Sequence, residues 1–207
     1  DLEYMHKLVC RSAKFSAFLM MFFAVPIILE TDTILSIWLK TVPDYAAIFL
    51  RWIIFSSFAD TVLANALVTS MLATGKIKRY QIVVTTIGCV VFPLSWIAFK
   101  LGFPPQTGYI IYFVVYCILV YVRLYLLKDM IKMPISLYGK LVLVKVVPVM
   151  LISFLIPGIL IYLMPSGLIR LLLVCVISVL TIIPAEYFLG LTRKEQSFVL
   201  EKIKSII

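Results

Sequence analysis

The sequence predicts an all-α, polytopic transmembrane bundle of six helices, and three observations lead there. Of 207 residues, 63% are hydrophobic and only 14% are charged. A soluble domain is nearer half apolar and a quarter charged, and a small core cannot hide such an excess. The apolar residues gather in runs of about the twenty that a bilayer requires. The basic residues fall almost entirely in alternate connections between those runs.

Taken in order, the first apolar run covers residues 15–29. It extends to 39 if the polar patch Glu30-Thr31-Asp32 is included, and Glu30 and Asp32 are read as its outer boundary. The second covers 45–74 and is interrupted by Arg51 and Asp60. The third, 80–99, carries no charge, and the fourth covers 107–127. The fifth and sixth cover 141–163 and 168–189. Helix is the fitting reading, because backbone groups in lipid must be satisfied within the segment and none of the runs alternates like a barrel strand. Pro26, Pro93, Pro148, Pro157 and Pro184 lie inside the runs and predict kinks.

Fifteen lysines and arginines fall to one side: three before the first run, then the groups around Lys78, Lys132 and Arg193, with Arg123 among them. Lys40, Lys100 and Arg170 fall to the other, and Arg51 remains inside a run. The positive-inside rule then places both ends in the cytoplasm. The +9 net charge is accordingly topology signal and anionic-lipid contact, with no nucleic-acid partner expected. Trp38, Tyr45, Trp52, Trp96 and Tyr109 cluster toward the other side as an interfacial belt. After the last run, Thr192-Arg193-Lys194-Glu195 fits a capping box, and Val199, Ile203 and Ile206 share a face. Residues 191–207 therefore read as a cytoplasmic amphipathic tail.

Little enzymatic chemistry is on offer. The only histidine, His6, reads as a surface residue. Cys10, Cys89, Cys117 and Cys175 have no disulfide or zinc spacing and read as small buried hydrophobes. No Ser/His/Asp set or phosphate loop is evident, so neither an enzyme, a cofactor nor a metal is expected. The second run is the unusual one, with Arg51, Asp60 and Asn65. Ionisable groups at membrane depth are costly and face a bundle interior or a cavity. Arg51 and Asp60 are about 13 Å apart along the axis and half a turn out of phase, so they cannot pair. Asp60 is either a proton or cation site coupled to transport or an interhelical packing bond. Arg51 either snorkels to the interface or meets an anionic headgroup in a cavity. Glu186 reads as interfacial near the inner end of the last helix.

Several stretches carry a family resemblance: Arg11-Ser12-Ala13-Lys14-Phe15-Ser16, Leu29-Glu30-Thr31-Asp32, Ile37-Trp38-Leu39, Val42-Pro43-Asp44-Tyr45, and Ala73-Thr74-Gly75-Lys76-Ile77-Lys78. In this order the chain resembles the later helices of bacterial polysaccharide biosynthesis flippases of the O-antigen type. These belong to the multidrug, oligosaccharidyl-lipid and polysaccharide exporter superfamily. The resemblance covers residues 1–128 and implies the second lobe of a MATE-like fold. Residues 1–128 would be four helices of that lobe, and 129–190 an additional transmembrane pair. The start at Asp1 without an initiator Met is expected of a fragment whose N-terminal lobe lies elsewhere in the same protein. The implied function is alternating-access flipping of an undecaprenyl-diphosphate-linked oligosaccharide across the bacterial inner membrane. Membrane lipids and a glycan polymerase are the other implied partners. An ion-coupled multidrug or cation exporter of the same superfamily is the alternative.

Overall fold

The computed structural model describes residues 2–61, 66–72, 77–193, 195–197 and 201. The described residues are overwhelmingly helical, with no strand among them. The helices are α1 (Leu2–Leu29), α2 (Thr31–Trp38), α3 (Ala46–Asp60), α4 (Ala66–Leu72), α5 (Ile77–Cys89), α6 (Val91–Lys100), α7 (Thr107–Ile131), α8 (Ile135–Tyr138), α9 (Val144–Leu163) and α10 (Leu168–Ala185). Two π-helical turns, Gly139–Leu143 and Glu186–Gly190, are also among the described residues.

Among the described residues, five stretches are long and apolar enough to cross a membrane: Glu3–Leu29, Ile77–Lys100, Thr107–Lys128, Ile135–Leu163 and Leu168–Gly190. The expected second span appears among the described residues as α3 and α4, and neither alone has that length. The polar lead-in expected before residue 15 is helical from Leu2, so α1 runs for 28 residues. The capping-box tail is described only in part, and Val199, Ile203, Ile206, Asn65 and the Ala73-Thr74-Gly75-Lys76 stretch lie outside the described residues.

Helix breaks follow the prolines. Pro93 has no N–H for the Cys89 carbonyl, and the continuous run splits there into α5 and α6 at Val90. The second π-turn begins two residues after Pro184, where a missing donor and a bulky ring already disturb the i→i−4 ladder, while the first ends five residues before Pro148. Past Pro26, α1 yields to α2 at Glu30, whose backbone leaves the helical region.

Two packed groups result. α1, α9 and α10 touch one another, while α7 packs against α3, α4, α5 and α6. Contacts of α1 with α3 and α4 join the groups, and Phe55 of α3 stacks on Phe154 of α9 with centroids 6.1 Å apart. α1 is the central post. Ala13, Ala17, Met21 and Val25 are fully buried at four-residue spacing, and the alanines let neighbouring backbones approach. On its outer face Leu19 and Phe23 are exposed, and Tyr162 of α9 is 92% exposed. Large apolar side chains outward are what a lipid solvent permits. Cys10 is buried, but Cys89 and Cys117 are exposed and Cys175 intermediate, which corrects the reading of all four as buried. His6 is likewise buried against the core instead of lying on the surface.

The start of α1 and the segment after α10 meet at one end of the bundle, called here the terminal end. Gly190 lies so close to α1 that a Cβ there would sit 2.3 Å from Phe18 Cζ. Glu195 Oε2 accepts the Thr192 N–H at 2.8 Å, the capping-box bond, and also Lys14 Nζ at 2.5 Å. The α2–α3, α6–α7 and α9–α10 connections lie at the far end. There Gly102 takes a left-handed φ of 83° that suits a residue without Cβ.

Candidate functional site

α3, α6 and α7 enclose a groove of about 650 Å³ between them. Asp60, Ser56 and Ser57 come from α3, Ser95 and Trp96 from α6, and Tyr109 and Tyr112 from α7. The spacing explains the α3 contribution: Ser56 and Asp60 are one helical turn apart and share a face. Phe92 and Phe99 add aromatic wall. The result is a polar floor inside a frame of aromatic rings, in a region that is otherwise apolar.

Asp60 is not isolated. Arg123 Nη1 of α7 donates to its Oδ1 at 3.1 Å, with the arginine side chain 10% exposed and the carboxylate 39% exposed. Tyr80 of α5 lies beside the same guanidinium. Arg123, counted above among connection residues, is therefore a helix residue whose side chain turns inward. Pairing offsets the cost that either charge alone would carry at this depth. Two buried polar atoms at this site have no protein partner: Ser56 Oγ and Arg123 Nε. Ser56 belongs to the groove lining, so its hydroxyl is a group that a polar ligand satisfies, whereas Arg123 stands behind Asp60, outside the lining.

Arg51 goes elsewhere. Its Nη2 donates to Asp32 Oδ2 at 2.6 Å and its Nε to the Ile28 carbonyl at 3.2 Å. It borders a separate apolar hollow with Ile48, Trp52, Phe55 and Phe113. The structure thus keeps Arg51 and Asp60 apart, as their helical phase requires, and gives each a partner from another segment.

A third pair was not anticipated. Glu30 is completely buried at the α1–α2 joint, where Arg170 of α10 grips it with Nε at 2.7 Å and Nη2 at 3.1 Å. Thr33 Oγ1 also donates to it. Glu30 does stand at the end of α1, as expected of a boundary residue, but it is buried there. A two-pronged arginine–carboxylate contact fixes geometry as well as charge, so this pair ties α10 to α1 at the far end. Asp32, 72% exposed at its side chain, does lie at that boundary. The sequence signal that was available is the lone arginine opening the last apolar run, which needs a partner at that depth.

At the terminal end Glu195 is pulled two ways. Burial pushes its carboxyl up, but hydrogen bonds from Lys14 and from the Thr192 N–H and hydroxyl, with the Lys14 charge, hold it below the ordinary carboxylate value. No group of three His, Cys, Asp or Glu that would hold a metal ion occurs among the described residues. Comparison of the chain with protein-family models, with characterised proteins and with solved structures finds no match. By length and composition, the five apolar helices among the described residues are consistent with a multi-pass membrane protein, and the chemistry of the groove carries the functional reading.

Proposed function

We propose that the chain is part of a membrane transporter that flips an amphipathic, lipid-linked oligosaccharide between leaflets by alternating access. The substrate is of the undecaprenyl-diphosphate-linked class, and the membrane is the bacterial inner membrane with both ends of the chain in the cytoplasm. The supporting observation is the groove: serine hydroxyls and the Asp60 carboxylate on its floor, with Arg123 paired to that carboxylate from behind, and tryptophan and tyrosine faces on its walls. Sugars present hydroxyls at their edges and C–H groups on their faces, which match that mixture. Groups this polar are costly in an apolar bundle and are characteristically placed along a substrate path. No covalent step is needed, so no catalyst or cofactor is assigned. In this reading α3 and α4 form one further span, giving six, and the chain is the second lobe of an exporter whose first lobe lies elsewhere in the protein.

The Asp60 carboxylate with aromatic walls also suits a cationic drug. Arg123 already neutralises that carboxylate, however, so a cation would have to displace an internal ion pair, and the oligosaccharide reading is preferred. Deleting the full-length gene tests it. Lipid-linked oligosaccharide should accumulate in the cytoplasmic leaflet while surface glycan disappears. Unchanged intermediates with increased sensitivity to cationic drugs would replace it with the exporter reading.

A further inference from the structure

At the terminal end, three segments distant in sequence enclose a second cavity, of about 320 Å³. Lys7, Arg11 and Lys14 line it from α1, Leu141 from the first π-turn, and Glu195 from beyond α10. We propose that this cavity binds the phosphate of an anionic lipid lying at this face of the membrane, independently of the groove at Asp60.

The three cations recur at four- and three-residue intervals and so share one face of α1. Arg11 and Lys14 share one carboxylate, Glu195, and the three cations are unequally engaged. Lys14, only 3% exposed, is committed to Glu195 Oε2. Arg11 reaches Glu195 Oε1 through Nε alone, at 3.3 Å, and its side chain is 54% exposed. Lys7 is held by Glu3 in an exposed pair of a kind that contributes little and exchanges readily. The cavity therefore offers the two Arg11 amino groups and the Lys7 ammonium to an incoming anion, while Lys14 and Glu195 hold its rear wall in place. Planar arginine donors suit phosphate oxygens. Leu8, which is exposed, and Leu141 supply an apolar side wall. Charged donors above an apolar wall fit a phosphate with an acyl chain attached. A free phosphate would use only the donors. Basic pockets between transmembrane helices near a surface take anionic headgroups by this logic.

The experiment uses the full-length protein in detergent micelles, with bound lipid counted by native mass spectrometry. The probes are phosphatidylglycerol, phosphatidylcholine and inorganic phosphate. The parent should retain phosphatidylglycerol in preference to phosphatidylcholine, and millimolar inorganic phosphate should not displace it. The double substitution Lys7→Gln with Arg11→Gln removes two cations that lie off the packed core. It should weaken phosphatidylglycerol binding by roughly thirtyfold, from about 1 kcal/mol per cation. Lys100→Gln at the far end should leave it unchanged. A thermal-unfolding profile matching the parent's establishes that the double variant is folded, and Arg11→Gln alone, with a smaller loss, serves if it is not. Equal binding by parent and variants, or no preference over phosphatidylcholine, would overturn the site. Displacement by inorganic phosphate would overturn the lipid assignment in favour of a soluble phosphate.

Discussion

The Asp60–Arg123 pair makes an asymmetric prediction. Arg123 is 10% exposed at its side chain and Asp60 39%. Removing the carboxylate strands a buried guanidinium whose Nε already has no protein partner. Removing the guanidinium leaves a carboxylate that reaches the open groove. Breaking a fully buried pair costs about 3–5 kcal/mol. Asp60→Asn keeps an acceptor at a partly open site, so about 2 kcal/mol is expected. Arg123→Gln should cost about half as much. The double variant should be less destabilised than the sum of the two by about 1–2 kcal/mol, the range for residues in direct contact. Unfolding in mixed micelles, followed by circular dichroism for all four proteins, measures that cycle. Additivity to within about 0.5 kcal/mol would refute the pair as an energetic unit. Transport per folded molecule separates the two roles left open for Asp60. If it only packs, activity follows the amount of folded protein. If it belongs to the substrate path, Asp60→Asn loses activity beyond that amount.

Other expectations concern the two ends of the bundle. Gly190→Ala should destabilise by about 1–3 kcal/mol, because the new methyl meets the Phe18 ring, and Phe18→Leu should recover part of the loss in the same unfolding assay. Glu30→Gln should cost about 3–5 kcal/mol, since it strands Arg170 in a fully buried contact. Asp32→Asn, at an exposed pair with Arg51, should cost at most about 1 kcal/mol, and equal losses would contradict the burial assigned to Glu30. The Glu195 carboxyl is held below its ordinary value, so its contribution to stability is present above that value and is lost as pH falls through the lowered one. Melting temperature should therefore drop more steeply below the ordinary carboxylate value in the parent than in Glu195→Gln. Topology is read best from Lys7→Cys in a Cys10→Ala background, because Cys10 is only 2% exposed and should resist labelling from either side. Reaction with a membrane-impermeant thiol reagent in intact cells would reverse the proposed orientation.

The membrane class and four of the spans were legible because run length and lipid thickness are set by the same dimension. The split at Val90 was legible too, from Pro93 and its missing donor. The π-turns were not, since no residue type marks an i→i+5 bond, and only Pro184, just before the second of them, hints at a disturbed ladder. For the site, depth in an apolar run singled out Asp60 and Arg51 as costly, and helical phase showed that they could not pair. Their actual partners, Arg123 and Asp32, come from other segments and follow only from packing. Arg123 was misassigned for an instructive reason. Counting positive charges uses position along the chain, whereas a guanidinium near a helix end can turn either toward the surface or inward. Glu30 does mark the end of α1, but its burial and its partner Arg170, from 140 positions further along, follow only from packing.

The most direct test of the groove places a photocrosslinking amino acid at Ser95 of the full-length protein, which lines it without joining the ion pair. After irradiation in cells making the surface glycan, adducts carrying glycan linked to a polyprenyl diphosphate are expected, and their yield should fall when the lipid-linked precursor is depleted. Adducts with phospholipid alone, unaffected by that depletion, would contradict the proposal that this groove carries a lipid-linked oligosaccharide.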